Sequence, residues 1–149
     1  MKIRVLAACA VLLTALLTIT PAMAQDNSRN WEYGNVIATS HVHLEPGSMN
    51  AYLNDLNGLW RIFLEQQIKD GNTVSYRIIQ NAFGRDGEPD LILITEHPNW
   101  AAFDLSNDYY EKLTVKLQGS LDNSRTASLD RGKLRRLGSN SVYREIILK

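Results

Sequence analysis

His41-Val42-His43 sets two imidazoles two residues apart, and on a β-strand that spacing turns both side chains to the same face. Imidazole titrates nearest to neutral pH and is a common metal ligand, so the pair suits metal binding, polar contact with a small molecule, or general-base work. Metal binding needs more partners than the pair supplies, since a structural zinc takes four protein ligands and a catalytic zinc three. The remaining histidine is His97, so Glu96 or Glu145 would have to complete the set. We therefore expect no metal and no cofactor, and read His41 and His43 as small-molecule contacts or as polar lining of a wet sheet face. Tyr76, Glu96 and Arg144 sit in three other strand-like runs and are the candidates to join them in a pocket. A few polar groups on apolar walls are what give a small cavity its specificity. An arginine there would grip an anion through paired hydrogen bonds, whereas at the rim it would form a salt bridge of little consequence.

Other residues carry weaker signals. Trp60, Trp100 and Phe103 have the flat area to stack on a ligand, but their helical spacing favours core packing. Trp31 and Tyr33 precede the first strand, where they are placed to wrap onto a partner subunit. The stretch 123–136 interleaves acids with bases and reads as a solvated face rather than an anion grip.

The elements that must position these residues can be read from periodicity. Residues 36–44 alternate and are β-branched, and Pro46-Gly47 ends them. Ser48 is placed to cap a helix whose Tyr52, Leu56, Leu59, Trp60 and Phe63 recur at three- and four-residue steps until Asp70-Gly71. Gly58 inside that helix costs about 1 kcal/mol against alanine, which suggests close packing there. Residues 73–82 and 90–96 are strand-like and are joined by a loop containing Gly84, Gly87 and Pro89, so they should pair antiparallel. His97-Pro98-Asn99 ends the third strand and caps a short helix over 100–104, with 106–118 as its continuation. Residues 121–137 read as a helix or an irregular crossover ending at Gly138, and 141–148 as the last strand.

The order β-α-β-β-α-β predicts an α+β, ferredoxin-like domain: a four-stranded antiparallel sheet with both helices on one face. On the first strand Val36, Ala38, Val42 and Leu44 form the apolar side and should meet the helices. That turns Ile37, Thr39, His41 and His43 to the open face. Isoleucines recur on the other strands too, and a homodimer that pairs two open faces would bury them.

Ahead of the domain, Lys2 and Arg4, the apolar run 5–18 and Ala22-Met23-Ala24 read as a signal peptide with its small-residue cleavage site. The apolar run is shorter than the roughly 20 residues a spanning helix needs. The expected division is signal peptide 1–24, flexible leader 25–34 and barrel domain 35–149, with a periplasmic or secreted product that keeps no stable membrane anchor. Cleavage removes Cys9, the one cysteine, so no disulfide or thiolate chemistry remains. It leaves 14 basic against 16 acidic residues, a balance that offers nucleic acid no electrostatic footprint.

The topology, the passage from the first strand through Pro46-Gly47 into a helix, and Glu96-His97-Pro98-Asn99-Trp100-Ala101-Ala102-Phe103-Asp104 after the third strand together resemble the dimeric α/β-barrel superfamily, in particular its small exported members without an assigned activity. The resemblance covers residues 35–149. It implies a homodimer and a fold that hosts cofactor-independent monooxygenases, haem-degrading enzymes, muconolactone isomerases and stress-responsive proteins. The expected function is thus a dimeric barrel holding a small, partly apolar molecule in its lumen. One alternative is a cofactor-independent monooxygenase or isomerase with His41 or His43 as general base; another is a structural or stress-associated dimer without a ligand.

Overall fold

The structure, a computed structural model, describes residues 29–149. The signal-peptide reading and its cleavage site lie outside the described residues. The chain runs β1 (Trp31–Leu44), α1 (Met49–Asp55), a π-helical turn (Leu56–Trp60), α2 (Arg61–Lys69), β2 (Ser75–Gln80) and β3 (Leu91–His97). A 3-10 turn (Trp100–Phe103), α3 (Asn107–Gln118), α4 (Leu121–Gly132) and β4 (Arg135–Leu148) complete it. The four strands form one antiparallel sheet in the order β2-β3-β1-β4, the expected ferredoxin-like arrangement.

Helices cover one face because the apolar side of β1 demands it. Val36 and Val42 are fully buried, and Val42 packs with Tyr52, Leu56, Leu91 and Leu93. Leu44, Met49, Trp60 and Leu134 close around this cluster. The expected helix after Pro46-Gly47 forms over 49–69, interrupted by the π turn, and stops where Gly71 takes a positive φ of 78°. Asn99 caps the 3-10 turn by accepting from Ala101 N at 2.9 Å, and Ser106 caps α3 by accepting from Tyr109 N at 3.2 Å.

Several boundaries differ from the sequence reading. β1 starts at Trp31, inside the stretch read as leader, because residues 31–33 pair with the end of β4. Ser48 occupies the N-cap position, but its hydroxyl lies 2.7 Å from the carbonyl oxygens of both Glu45 and Leu134, with its one proton to share, and so ties the helix start to the residue before β4 instead of capping it. Gly58 is not a point of close packing: a β-carbon there would meet nothing within 4 Å, and the residue lies in the π turn. α3 is a separate helix, since its own cap at Ser106 restarts the chain after the 3-10 turn. Residues 121–132 are helical, but Gly138 ends no helix. It lies within β4, which begins at Arg135 rather than Ser141.

Candidate functional site on the open sheet face

Pairing registers assign every strand residue to a face. Val36, Ala38, Ser40 and Val42 stand opposite His97, Thr95, Leu93 and Leu91, so these belong to the helix side. Ile37, Thr39 and His41 stand opposite Glu96, Ile94 and Ile92 and belong to the open side. β2 adds Ser75, Arg77 and Ile79 to the open face. β4 adds Ser141 and Tyr143 next to Thr39 and Ile37. Ile79, Tyr143 and Ile147 keep 45 %, 54 % and 43 % of their surface exposed on this face.

His41 and His43 share the open face, as their spacing requires, and a bulge in β4 shapes their surroundings. Ser40 pairs with Asn140 but Val42 with Leu137, so Gly138 and Ser139 together face His41. Ser139 Oγ is 3.0 Å from His41 Nδ1. With Nδ1 engaged, Nε2 is the ring atom left to meet a ligand. A hollow of about 280 Å³ opens beside His41, walled by Ile79 and Ile92 and by the hairpin residues Asn81, Glu88 and Pro89. Glu88 accepts from Arg85 N at 3.0 Å and from Asn81 Nδ2 at 3.2 Å. Those two bonds, the backbone one foremost, hold its carboxyl below the usual glutamate range, so the rim carries a negative charge.

The other candidates do not join the histidines. Glu96 is on the open face but four residues along from the level of Ile92, about 13 Å by strand rise. Its carboxylate accepts from Ser75 Oγ at 2.6 Å and Asn35 Nδ2 at 2.7 Å, with Arg77 at 3.3 Å. The Ser75 bond, then the Asn35 bond, lowers its pKa below the ordinary value. Tyr76 lies on the helix side, opposite Thr95, with its ring edge-on to Trp60 at 5.3 Å. Arg144 pairs with Val36, so it too lies on the helix side of the sheet, over the Tyr33 ring at 4.7 Å. Its neighbour Glu145 takes the open side, accepting from Asn35 N at 3.2 Å across Gly34.

His97 is buried on the helix side between Asn72 O at 2.9 Å and Thr95 Oγ1 at 3.0 Å, with Phe103 against its ring. It supplies no third ligand to the pair. Among the described residues no three histidine, cysteine, aspartate or glutamate side chains gather closely enough to hold a metal. Of the aromatics, Trp60 is part of the core margin, whereas Trp100 and Phe103 stay 48 % and 42 % exposed. Trp31 and Tyr33 stack edge to face at 4.9 Å on the ribbon that β1 and β4 form beyond the rest of the sheet.

Sequence reasoning missed Ser139, Gly138 and the hairpin carboxylate Glu88. Gly138 was the one local signal for the bulge, but its neighbours Arg136, Ser139 and Asn140 do not mark a strand around it.

No protein-family model matches the chain, and no curated protein matches it in sequence. Solved structures do match in shape. HapK from Hahella chejuensis aligns over 74 % of this chain and 91 % of its own, with a TM-score of 0.50 at 6 % identity. A dimeric ferredoxin-like protein from an uncultured marine organism aligns over 76 % and 96 %, with a TM-score of 0.50 at 12 % identity. At such identities the likeness is one of fold. The expected α+β ferredoxin-like fold is thus borne out, with one face of the sheet under helices and the other open.

Proposed function

We propose that the chain is exported, loses residues 1–24, and works as a homodimer whose two open sheet faces pack together around a small, partly apolar molecule. The observation that carries this reading is the hollow beside His41. It joins apolar walls, an imidazole nitrogen and a hairpin carboxylate on a face whose exposed Ile79, Tyr143 and Ile147 call for cover. A two-fold axis is the commonest way for one such face to cover another. Among the described residues no helix is long and apolar enough to cross a membrane, and the signal-like residues precede them.

A second reading, a cofactor-independent monooxygenase or isomerase with His41 as base, draws support from the Ser139 contact, which fixes the imidazole and frees Nε2.

Native mass spectrometry of protein isolated from its own periplasm tests the proposal. The expected spectrum shows a chain beginning at Gln25, twice the chain mass, and retained small molecule. Ile94 lies at the centre of the open face, so Ile94→Glu should yield a folded monomer. A wild-type chain that sediments as a monomer at all concentrations overturns the barrel.

A further inference from the structure

A larger cavity lies on the opposite side of the sheet, among the helices. It holds about 350 Å³, within the range of small-molecule sites. One wall is apolar and aromatic: Leu59 and Trp60 from the π turn, Phe63 and Leu64 from α2. Phe63 is held in place by stacking parallel to Tyr110 at 6.4 Å. The opposite wall is polar, with Thr114 and Gln118 from α3 and Ser124, Ser128 and Arg131 from α4.

α4 does not behave as a core helix. None of its residues is buried, and its leucines 121 and 129 are 45 % and 68 % exposed. The stripe it presents inward, Ser124, Ser128 and Arg131, has the four- and three-residue spacing at which a packing helix carries apolar side chains. Short hydroxyls facing large aromatics leave the space between them open. The helix is fastened at its ends instead: Gln118 Nε2 donates to Ser124 Oγ at 3.2 Å, and Arg131 donates through Nε and Nη2 to both carboxylate oxygens of Asp55. The apolar wall includes a π-helical turn, a conformation that recurs at functional sites.

We infer that this cavity is a second binding site, independent of the open face, for an uncharged flat molecule with a hydrogen-bonding edge. The aromatic wall takes the flat body. The hydroxyls of Thr114, Ser124 and Ser128, which both donate and accept, take the polar edge. The ligand is uncharged because Arg131, the one ionisable group in the lining, is already neutralised by Asp55, so an ion entering would lose its hydration without a counter-charge.

Titration of the isolated chain with 1-naphthol and, separately, with 1-naphthoate tests this by calorimetry and amide NMR shifts. Naphthol should bind and shift Gln118, Ser124 and Ser128, whereas naphthoate, the same rings with a negative charge, should bind at least tenfold more weakly. Ser128→Phe fills the cavity and should weaken naphthol at least tenfold, and His41→Ala should leave it unchanged. If Ser128→Phe does not fold, Ser124→Phe serves the same purpose, and if neither folds the shift map of the unaltered chain decides. Failure of naphthol to bind, shifts confined to His41 and Ile92, or equal binding of naphthoate overturns the inference. Because the two sites lie on opposite sides of the sheet, loss at one leaves the other's reading standing.

Discussion

Gly138 lies against the ring of His43: a β-carbon built on the glycine would come within 2.9 Å of His43 Nε2 and 3.1 Å of His41 Cβ. Gly138→Ala should therefore push the His43 ring aside and destabilise the domain by about 1 kcal/mol, as mild overpacking does. In a His43→Ala background the same change should cost less, because the nearer of the two clashes has gone. Urea unfolding of the four variants in a double-mutant cycle measures the difference, and equal costs in both backgrounds would mean that His41 alone sets the limit.

The two histidines differ in their attachments. His41 is tied to Ser139 and borders the hollow, whereas His43 faces Arg136 across the β1–β4 pair. His41→Ala and His43→Ala should each keep the fold within about 2 kcal/mol, since neither residue is part of the buried core. Ligand retention in native mass spectra should fall with His41→Ala and less with His43→Ala. Unchanged retention in the double variant would remove the pair from the site.

Glu96 gives the domain a dependence on acid. Its side chain is only 19 % exposed and its folded pKa is depressed by Ser75 and Asn35. The stability it contributes is full above its unfolded pKa, about 4.3, and is lost as pH falls through the lower folded value. Glu96→Gln should lose stability near neutral pH, by about 1–2 kcal/mol, while losing less than wild type on acidification. Denaturant midpoints at pH 7 and pH 3 for both chains check this; parallel curves would assign the acid sensitivity elsewhere.

Asp55 and Arg131 join the π-helical region to α4, with side chains 27 % and 16 % exposed. Arg131→Met should leave a partly buried carboxylate without its partner and cost about 2 kcal/mol, less than the full cost of breaking a deeply buried pair. Amide exchange should accelerate across α4 and stay unchanged in β1 and β3. Uniform acceleration would show that α4 unfolds with the whole domain.

The order and pairing of elements were legible in the sequence because β1, β3 and the long helix bury one regular stripe each, and burial of a stripe is what periodicity records. The start of β4 was not. Arg136 lies exposed on an edge strand, where charge is tolerated, and Arg135 is half-buried over the Tyr52 ring, so the run from Lys133 to Leu137 carries no polar-apolar alternation that marks a strand. The candidate site was legible in part. The spacing of His41 and His43 fixes them to one face in any register, but Tyr76 and Arg144 depend on how β2 and β4 align with their neighbours. For β4 the bulges between Tyr33 and Val36 and between Ser40 and Val42 each shift the alignment with β1 by one residue, and a one-residue slip exchanges the faces. Glu88 entered the site through the hairpin loop, whose path no periodicity describes.

The place of β4 in the sheet also bears on how the chain reaches this structure. β1 is an inner strand, yet its outer neighbour comes from residues 135–148, and the pairing extends to Trp31 against Leu148, with Lys149 N donating to Asn30 O at 2.8 Å. More than half of β1's pairing positions therefore wait for a segment made about a hundred residues later, a closure of high entropic cost that slows folding. During synthesis β1, β2 and β3 can assemble only into a three-stranded sheet whose β1 edge lies bare. Until the last strand emerges, the outer row of β1 amides and carbonyls has no partner strand.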